Sequence, residues 1–283
     1  MVTALRPAIR QALPTDQSQI ANLMYFENRV HRHLDWRTPL DWLGAPEYWV
    51  LEEQGNLYAA FACPPDPETA AWIRLFAVSS SVSLLQAWNI LWDTARSILQ
   101  GRNLTVAAIV MQRWMEELLL ETGFREFQKV VVLAQNNTPF PWQPNSHDLY
   151  IREMTQEDLP SVAALDAAAF SPLWQNSLAS LKYAFPLSEI STVGILNDEI
   201  VAYQMSTRNP FGAHLARLAV HPQHQGRGFG YLMVQHLLQN TRAQGLARLT
   251  VNTQSDNTAS LALYEKIGFR RTGEQYAVLT YSI

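Results

Sequence analysis

The ten residues His221–Gly230, HPQHQGRGFG, limit what this chain can fold into more than any other stretch. LARLAV at 215–220 precedes them and is aliphatic enough to make a short buried strand. Pro222 disfavours helix at His221 and marks the end of that strand. Gly226, Gly228 and Gly230 then punctuate the chain where an apolar stripe, Leu232, Met233, Leu237 and Leu238, announces a helix. The helix therefore starts near Gly228 or Gly230. A strand, a glycine turn and a helix N-terminus together present unpaired N–H groups to an anion, of which a phosphate or pyrophosphate is the natural example. No Lys-Ser/Thr pair closes a P-loop here, and no acidic residue ends a second strand as a dinucleotide site requires. Taken alone, the turn reads equally as a tight connection.

Its company narrows that choice. Gln225-x-x-Gly228-x-Gly230 resembles the acyl-CoA pyrophosphate loop of the GCN5-related N-acetyltransferase (GNAT) superfamily. Further on, Asp256-Asn257-x-x-Ser260-x-x-Leu263-Tyr264-Glu265-Lys266-x-Gly268-Phe269 resembles that superfamily's second signature. Two signatures in the right order identify the chain as a member by resemblance. The resemblance implies an α/β fold with a mixed, mainly antiparallel central sheet flanked by helices, and acetyl-CoA as cofactor. It covers Leu149–Ile283 directly.

The first half enters by duplication. Arg10, Asp16 and Leu23 recur as Arg152, Asp158 and Leu165, each 142 residues on. Gly123-Phe124-Arg125 before a strand-like Lys129–Leu133 recurs as Gly268-Phe269-Arg270 before Ala277–Tyr281. Two separated echoes at nearly one offset indicate an internal repeat. Two tandem domains are expected, 1–137 and 148–283, joined by a polar, proline-rich linker at 138–147. Where the second half has its glycine loop, the first has Ser79-Ser80-Ser81-Val82-Ser83, followed by a helix from about Leu84 to Leu99. Side chains at those positions crowd a close phosphate approach. Leu119 stands where the second half has Tyr264 and cannot donate a proton. The first domain is expected to keep the fold and to have lost the cofactor.

Composition excludes several other classes. With 48% hydrophobic and 16% charged residues over 283 positions, the chain can bury two substantial cores. A net charge of -4 gives no electrostatic case for nucleic acid. No apolar run reaches the roughly 18 residues of a membrane span. MVTALRPAIRQALPTD has no apolar signal core, and the lone Cys63 fits a reducing compartment, so a cytoplasmic protein is expected. His31 and His33 lie two apart without a third ligand at a supporting spacing, so no metal is expected. The aromatic stretch Arg29–Trp49 reads as a helix-loop segment packing Trp36, Trp42 and Trp49.

The glycine turn would hold the pyrophosphate on N–H groups of Gln225, Gly226, Arg227, Gly228, Phe229 and Gly230, with the Arg227 side chain able to add a charged contact. The resemblance implies that the pantetheine arm lies along Leu218, Ala219 and Val220. Acetyl transfer to an amine needs a deprotonated nucleophile, stabilisation of a developing oxyanion and a proton for the departing thiolate. The resemblance makes Tyr264 the acid, and the Val220 N–H is the oxyanion partner. Asn257 contacts the arm, caps the last helix, or does both. His214 and Glu189 are the candidates for relaying a proton to or from water. The acceptor surface is expected from Ser171–Ser188, from Arg208–Gly212 and from the chain's end, and LTVNTQSDNTASLALYEKIGF at 249–269 resembles the ribosomal-protein and N-terminal peptide branch. The expected activity is acetylation of a primary amine of a small molecule or peptide N-terminus. The alternative is a non-catalytic acyl-CoA-binding regulatory or structural protein. A monomer is favoured over a homodimer, because a tandem partner can cover exposed strand edges.

Overall fold

The same short turn opens both halves of the chain. The Asp16 carboxylate accepts from both terminal nitrogens of Arg10, at 2.7 and 2.9 Å, and from the Leu13 N–H at 2.8 Å. The Asp158 carboxylate does the same with Arg152, at 2.6 and 2.8 Å, and with the Thr155 N–H at 2.8 Å. In each half one carboxylate closes the turn between the first strand and the first helix, through charge-assisted bonds. The echo in sequence is thus an echo in contacts.

The computed structural model describes residues 7–136, 139–141, 149–210 and 212–283. Most of the expected linker, 138–147, lies outside those residues. The chain divides into two compact units, Met1–Phe127 with Ala277–Ile283, and Gln128–Tyr276.

The first unit runs β1 (Ala8–Gln11), α1 (Gln17–Phe26), β2 (Arg29–Arg32), β3 (Tyr48–Glu53), β4 (Asn56–Ala62), β5 (Ala70–Trp72), β6 (Leu75–Val78), α2 (Leu84–Leu99), β7 (Thr105–Val110) and α3 (Arg113–Glu121). An antiparallel sheet is ordered β1-β3-β4-β6-β2. β5 lies parallel to β7, and Ala277–Ser282 lies antiparallel on β7's other side. Trp88, Phe61, Phe76 and Phe124 are buried in an aromatic core beneath α2. Ser83 begins α2 by accepting from the Gln86 N–H, so the serine run ends in an ordinary helix cap.

The second unit takes the latter part of β8 (Arg125–Gln135), then β9 (Tyr150–Glu153), α4 (Leu159–Ala169), α5 (Leu178–Ala184), β10 (Ile190–Leu196), β11 (Glu199–Asn209), β12 (Gly212–Val220), α6 (Phe229–Ala243), β13 (Leu249–Gln254), α7 (Thr258–Lys266) and the start of β14 (Arg270–Ser282). Its strands are ordered β9-β10-β11-β12-β13-β8, antiparallel except for β12 with β13. Asn197 and Asp198 turn the β10–β11 hairpin with φ of 50° and 63°, as their turn propensity predicts. The mixed, mainly antiparallel sheet flanked by helices matches the expected fold class.

Two elements depart from the sequence reading. Val130–Gln135, expected in a first domain of 1–137, pairs with β13 in the second unit, while Ala277–Ser282, expected in 148–283, pairs with β7 in the first. Both segments are apolar strands behind the same Gly-Phe-Arg turn, so local pattern does not specify which neighbour each one takes. The Arg29–Trp49 stretch opens with strand β2 where a helix-loop segment was expected. Its Val30 and His31 are buried in the ladder with β6, and tertiary pairing overrides a weak local signal.

Candidate active site

β12 and β13 make a fork. They pair only at Ala213–Leu215 against Leu249–Val251, whereas β11 follows β12 all the way to Val220. Gly212 fixes where the shared part begins. A Cβ there would lie 2.3 Å from the Arg248 carbonyl oxygen, which accepts from the Ala213 N–H at 2.9 Å. The β11 register skips Ala216, a bulge at the point where the strands separate. The His221 N–H donates to the Val201 carbonyl on the β11 side. Backbone groups of a strand point alternately to its two edges, so the N–H groups of Leu218 and Val220 face the opened edge. No described strand pairs with that edge beyond Leu215.

The glycine loop follows at the open end. Gly226 and Gly228 have φ of 75° and 83°, and a Cβ on either would meet nothing within 4 Å, so the loop's outer face is open. Gly228 is the N-cap of α6, and the first N–H groups of the helix lack intrahelical acceptors. Gly230 has a different task, since its Cβ would sit 3.2 Å from Leu263 of α7. Gln225 donates its amide to the Val220 carbonyl at 3.0 Å and ties the loop to the strand end. Arg227 lies 3.1 Å from the His224 ring nitrogen, with its guanidinium 4.9 Å over Phe229. The Phe229 side chain is buried, leaving its backbone as the group that reaches the loop.

The Tyr264 ring lies 5.4 Å from that of Phe269, in the buried cluster that also holds Leu215 and Val251, the last register pair before the fork. Burial pushes its phenol upward, which keeps the proton on it. Asn257 caps α7, its carbonyl accepting from the Ser260 N–H at 3.1 Å. His214 sits in the paired part of β12, 2.8 Å from the Thr250 hydroxyl through Nδ1. That hydroxyl donates to the Ala213 carbonyl at 3.3 Å, so it accepts from Nδ1–H and leaves Nε2 with a lone pair. Burial lowers the His214 pKa and keeps the ring neutral. Glu189 is held by Arg208 at 3.4 Å in an exposed ion pair.

One constellation escaped the sequence reading. Asp166 of α4 is fully buried and accepts from Arg217 at 2.7 and 2.8 Å, from the Tyr203 hydroxyl and from the Asn176 N–H at 2.7 Å. Arg217 stands directly after the bulge, packs 3.5 Å over Phe170, and donates to the Trp174 carbonyl at 2.6 Å. The signal was present as one charged residue inside each of two apolar runs, LDAAAF and LARLAV.

The sequence profile of the acetyltransferase (GNAT) family matches residues 159–269, which span α4, the fork, the glycine loop and α7. Among curated proteins, the [ribosomal protein bS18]-alanine N-acetyltransferase of Salmonella typhimurium is 27% identical over 120 residues, 38% of this chain and 80% of that one. The Escherichia coli enzyme of the same name is 28% identical over 98 residues, 66% of its length. Among solved structures, a GCN5-related N-acetyltransferase from Sphaerobacter thermophilus aligns with 97% of this chain and 95% of its own, with a TM-score of 0.63 at 15% identity. A tandem GNAT protein from the clavulanic acid biosynthesis pathway aligns over 98% of both chains, with a TM-score of 0.62 at 15% identity. The chain thus has a tandem, two-lobed GNAT fold.

The first unit repeats the fork of the second and then fills it. β5 and β7 pair in parallel over Ala70–Trp72, and the Ile73 N–H extends the pairing to the Ala107 carbonyl. These residues lie 142 before Gly212–Leu215, and the chain leaves the ladder at the same point. The Ser79 N–H donates to the Tyr58 carbonyl as His221 does to Val201, so Phe76 and Val78 face the opened edge. There β2 lies antiparallel, with His31 opposite Phe76 and Arg29 opposite Val78. The serine turn is satisfied from within as well. The Glu27 carboxylate accepts from the Ser80 N–H at 2.9 Å, and the Ser79 hydroxyl accepts from the Ser81 N–H at 3.3 Å. His31 bonds the Ile73 carbonyl and His33 stacks on Trp72, so both histidines serve the core.

Proposed function

We propose that the second unit transfers the acetyl group of acetyl-CoA to a primary amine, on a small molecule or a peptide N-terminus, by direct transfer in a ternary complex, and that the first unit holds no cofactor. The observation that carries this reading is the unpaired edge of Leu218–Val220, with an open glycine loop at one end and Tyr264 packed at the fork. These residues fit acetyl-CoA. Backbone N–H groups of Gln225–Gly230 and the α6 N-terminus suit its pyrophosphate, and a Cβ-free face at Gly226 and Gly228 allows close approach. Leu218 offers backbone partners to its amide arm, with Ala219 beside it, and Val220, whose carbonyl Gln225 takes, keeps its N–H for the acyl group. Bound there, acetyl-CoA supplies an activated acyl group on a thiol leaving group.

The protein's own groups then divide the work. The Val220 N–H faces the gap and can stabilise negative charge on the acyl oxygen. Tyr264, kept protonated by burial, donates its proton to the departing sulfur. His214 is neutral with Nε2 free to accept, and from its place six residues back along β12 it takes the amine's proton through a relay of water. Glu189, committed to Arg208 at the surface, is the weaker candidate. The bS18-alanine enzymes to which the domain is similar support the peptide N-terminus as acceptor class.

Calorimetric titration with acetyl-CoA, of wild type and of Gly228→Trp, tests the binding half. One site abolished by the variant is expected. Tyr264→Phe should still bind acetyl-CoA while acetylation slows about 100-fold or more. Binding with no acetyl transfer to any amine would favour the non-catalytic reading, and no binding at all would remove both.

A further inference from the structure

Trp174 is held at both ends. Its carbonyl accepts from Arg217 Nη2 at 2.6 Å, and its indole N–H donates to the Gln128 side-chain oxygen at 3.1 Å. The Gln128 amide donates in turn to both Asp256 oxygens, at 2.8 and 3.0 Å. Arg217 lies on β12 just beyond the last β12–β13 pair, whereas Gln128 and Asp256 flank the far end of β13 on the β8 and α7 sides. The residue is therefore pinned by its backbone to one prong of the fork and by its ring to groups around the other.

The backbone anchor is itself over-determined. Asp166 neutralises Arg217 through two bonds and holds the Asn176 N–H, so chain positions 174 and 176 are fixed from one buried carboxylate. Loss of either charge would leave the other buried without a counter-charge. Asp166 is neutralised by Arg217, while Asp256 keeps its charge and is held by the Gln128 amide. What the fork's mouth offers an incoming molecule is an oriented, half-buried indole.

We propose that Trp174 is the specificity-determining wall of the acceptor site, selecting amines whose carbon next to the nitrogen carries an apolar substituent over unbranched polyamines. Asp166 and Arg217 are the positioning residues that set it. This rests on the acetyltransferase reading of the second unit. An indole face packs against an apolar substituent, whereas an unbranched polyamine offers it only a thin methylene chain between charges.

The test measures acetylation of three probes, L-phenylalaninamide, an alanine-initiated tripeptide and spermidine, by wild type, Trp174→Ala, Trp174→Phe and Gln128→Ala. Acetyl-CoA binding is titrated in the same proteins. Wild type is expected to prefer the first two probes. Trp174→Ala should raise their KM about tenfold or more and erase the preference over spermidine, with acetyl-CoA affinity unchanged. Trp174→Phe restores part of the preference, and Gln128→Ala, which frees the ring without removing it, gives a smaller loss in the same direction. Intact acetyl-CoA binding with an unchanged probe preference in Trp174→Ala overturns the proposal, as does wild-type preference for spermidine. Failure of the underlying reading has a different signature, because wild type itself would then bind no acetyl-CoA.

Discussion

His31 lies opposite Phe76 in the β2–β6 ladder, on the edge that Leu218, 142 residues later, leaves open beside its own fork. One duplicated strand thus has two fates. In the first unit its free backbone groups are taken by β2, and in the second they remain available to a ligand. Titration of the whole chain with acetyl-CoA should therefore give one site per chain. His31→Pro, which removes the N–H that faces Phe76 in the ladder, should lower stability without creating a second site, since the aromatic core still fills the space. Two sites in the wild-type chain would defeat this account of the first unit.

The imidazole of His214 gives a pH signature. Burial holds it below its ordinary value of 6.5, so the base form persists further into acid than for a free histidine. The acid limb of kcat that this group controls should lie below pH 6.5. His214→Asn should remove that limb and slow transfer by about 100-fold. An unchanged limb in the variant would pass the role to solvent or to another group. Stability moves in the same direction. The unfolded chain takes up this proton more readily than the folded one, so lowering pH through 6.5 costs folding free energy.

Gly212 separates a demand for left-handed backbone from a demand for space. Gly44 and Gly101 have positive φ, and a Cβ on either would meet nothing within 4 Å, so alanine there should cost about 1 kcal/mol. At Gly212 the same carbon would lie 2.3 Å from the Arg248 carbonyl oxygen, so the β12–β13 start must open. Gly212→Ala should cost roughly 3 kcal/mol or more in urea denaturation. It should also weaken acetyl-CoA binding, because the fork is set by where that pairing begins. Equal costs at Gly101 and Gly212 would show that the backbone there yields.

Much of this was legible in the sequence because the constraints are local. The strand LARLAV, the turn at Gly226 and Gly228, and the caps at Gly228 and Asn257 each follow from a few adjacent residues, and α2 lies where Leu84–Leu99 predicts. What stayed hidden depends on partners far along the chain. Nothing in RVHR says that it will lie against LFAV, and nothing in the Asp166 stretch names Arg217, 51 residues away. The exchange of Val130–Gln135 and Ala277–Ser282 is hidden for the same reason. Two strands of similar composition follow the same turn, and only three-dimensional packing decides between them. The lone charges in apolar runs were the available clue, and they pointed to the network that now positions Trp174.

The repeated turn gives a last prediction that separates fold from function. Arg152 and two local hydrogen bonds hold Asp158 at a pKa of about 2, below its ordinary 3.8, with its side chain 9% exposed. A depressed carboxylate stabilises the fold fully above its unfolded value and loses that contribution as pH falls through the folded one. Asp158→Asn should therefore cost about 2 kcal/mol at pH 7, the free energy that separates a carboxylate titrating at about 2 from one at its ordinary 3.8. The gap to wild type should narrow between pH 4 and pH 2. Asp16→Asn should follow the same trend, since Arg10 lowers that carboxylate by the same arrangement. Urea denaturation across this range checks both. A loss that is the same at pH 2 and pH 7 would show that the carboxylate's shape, and not its charge, closes the turn. Because the partners of both carboxylates are local to their own turns, acetyl-CoA affinity of the folded variants should stay at the wild-type value.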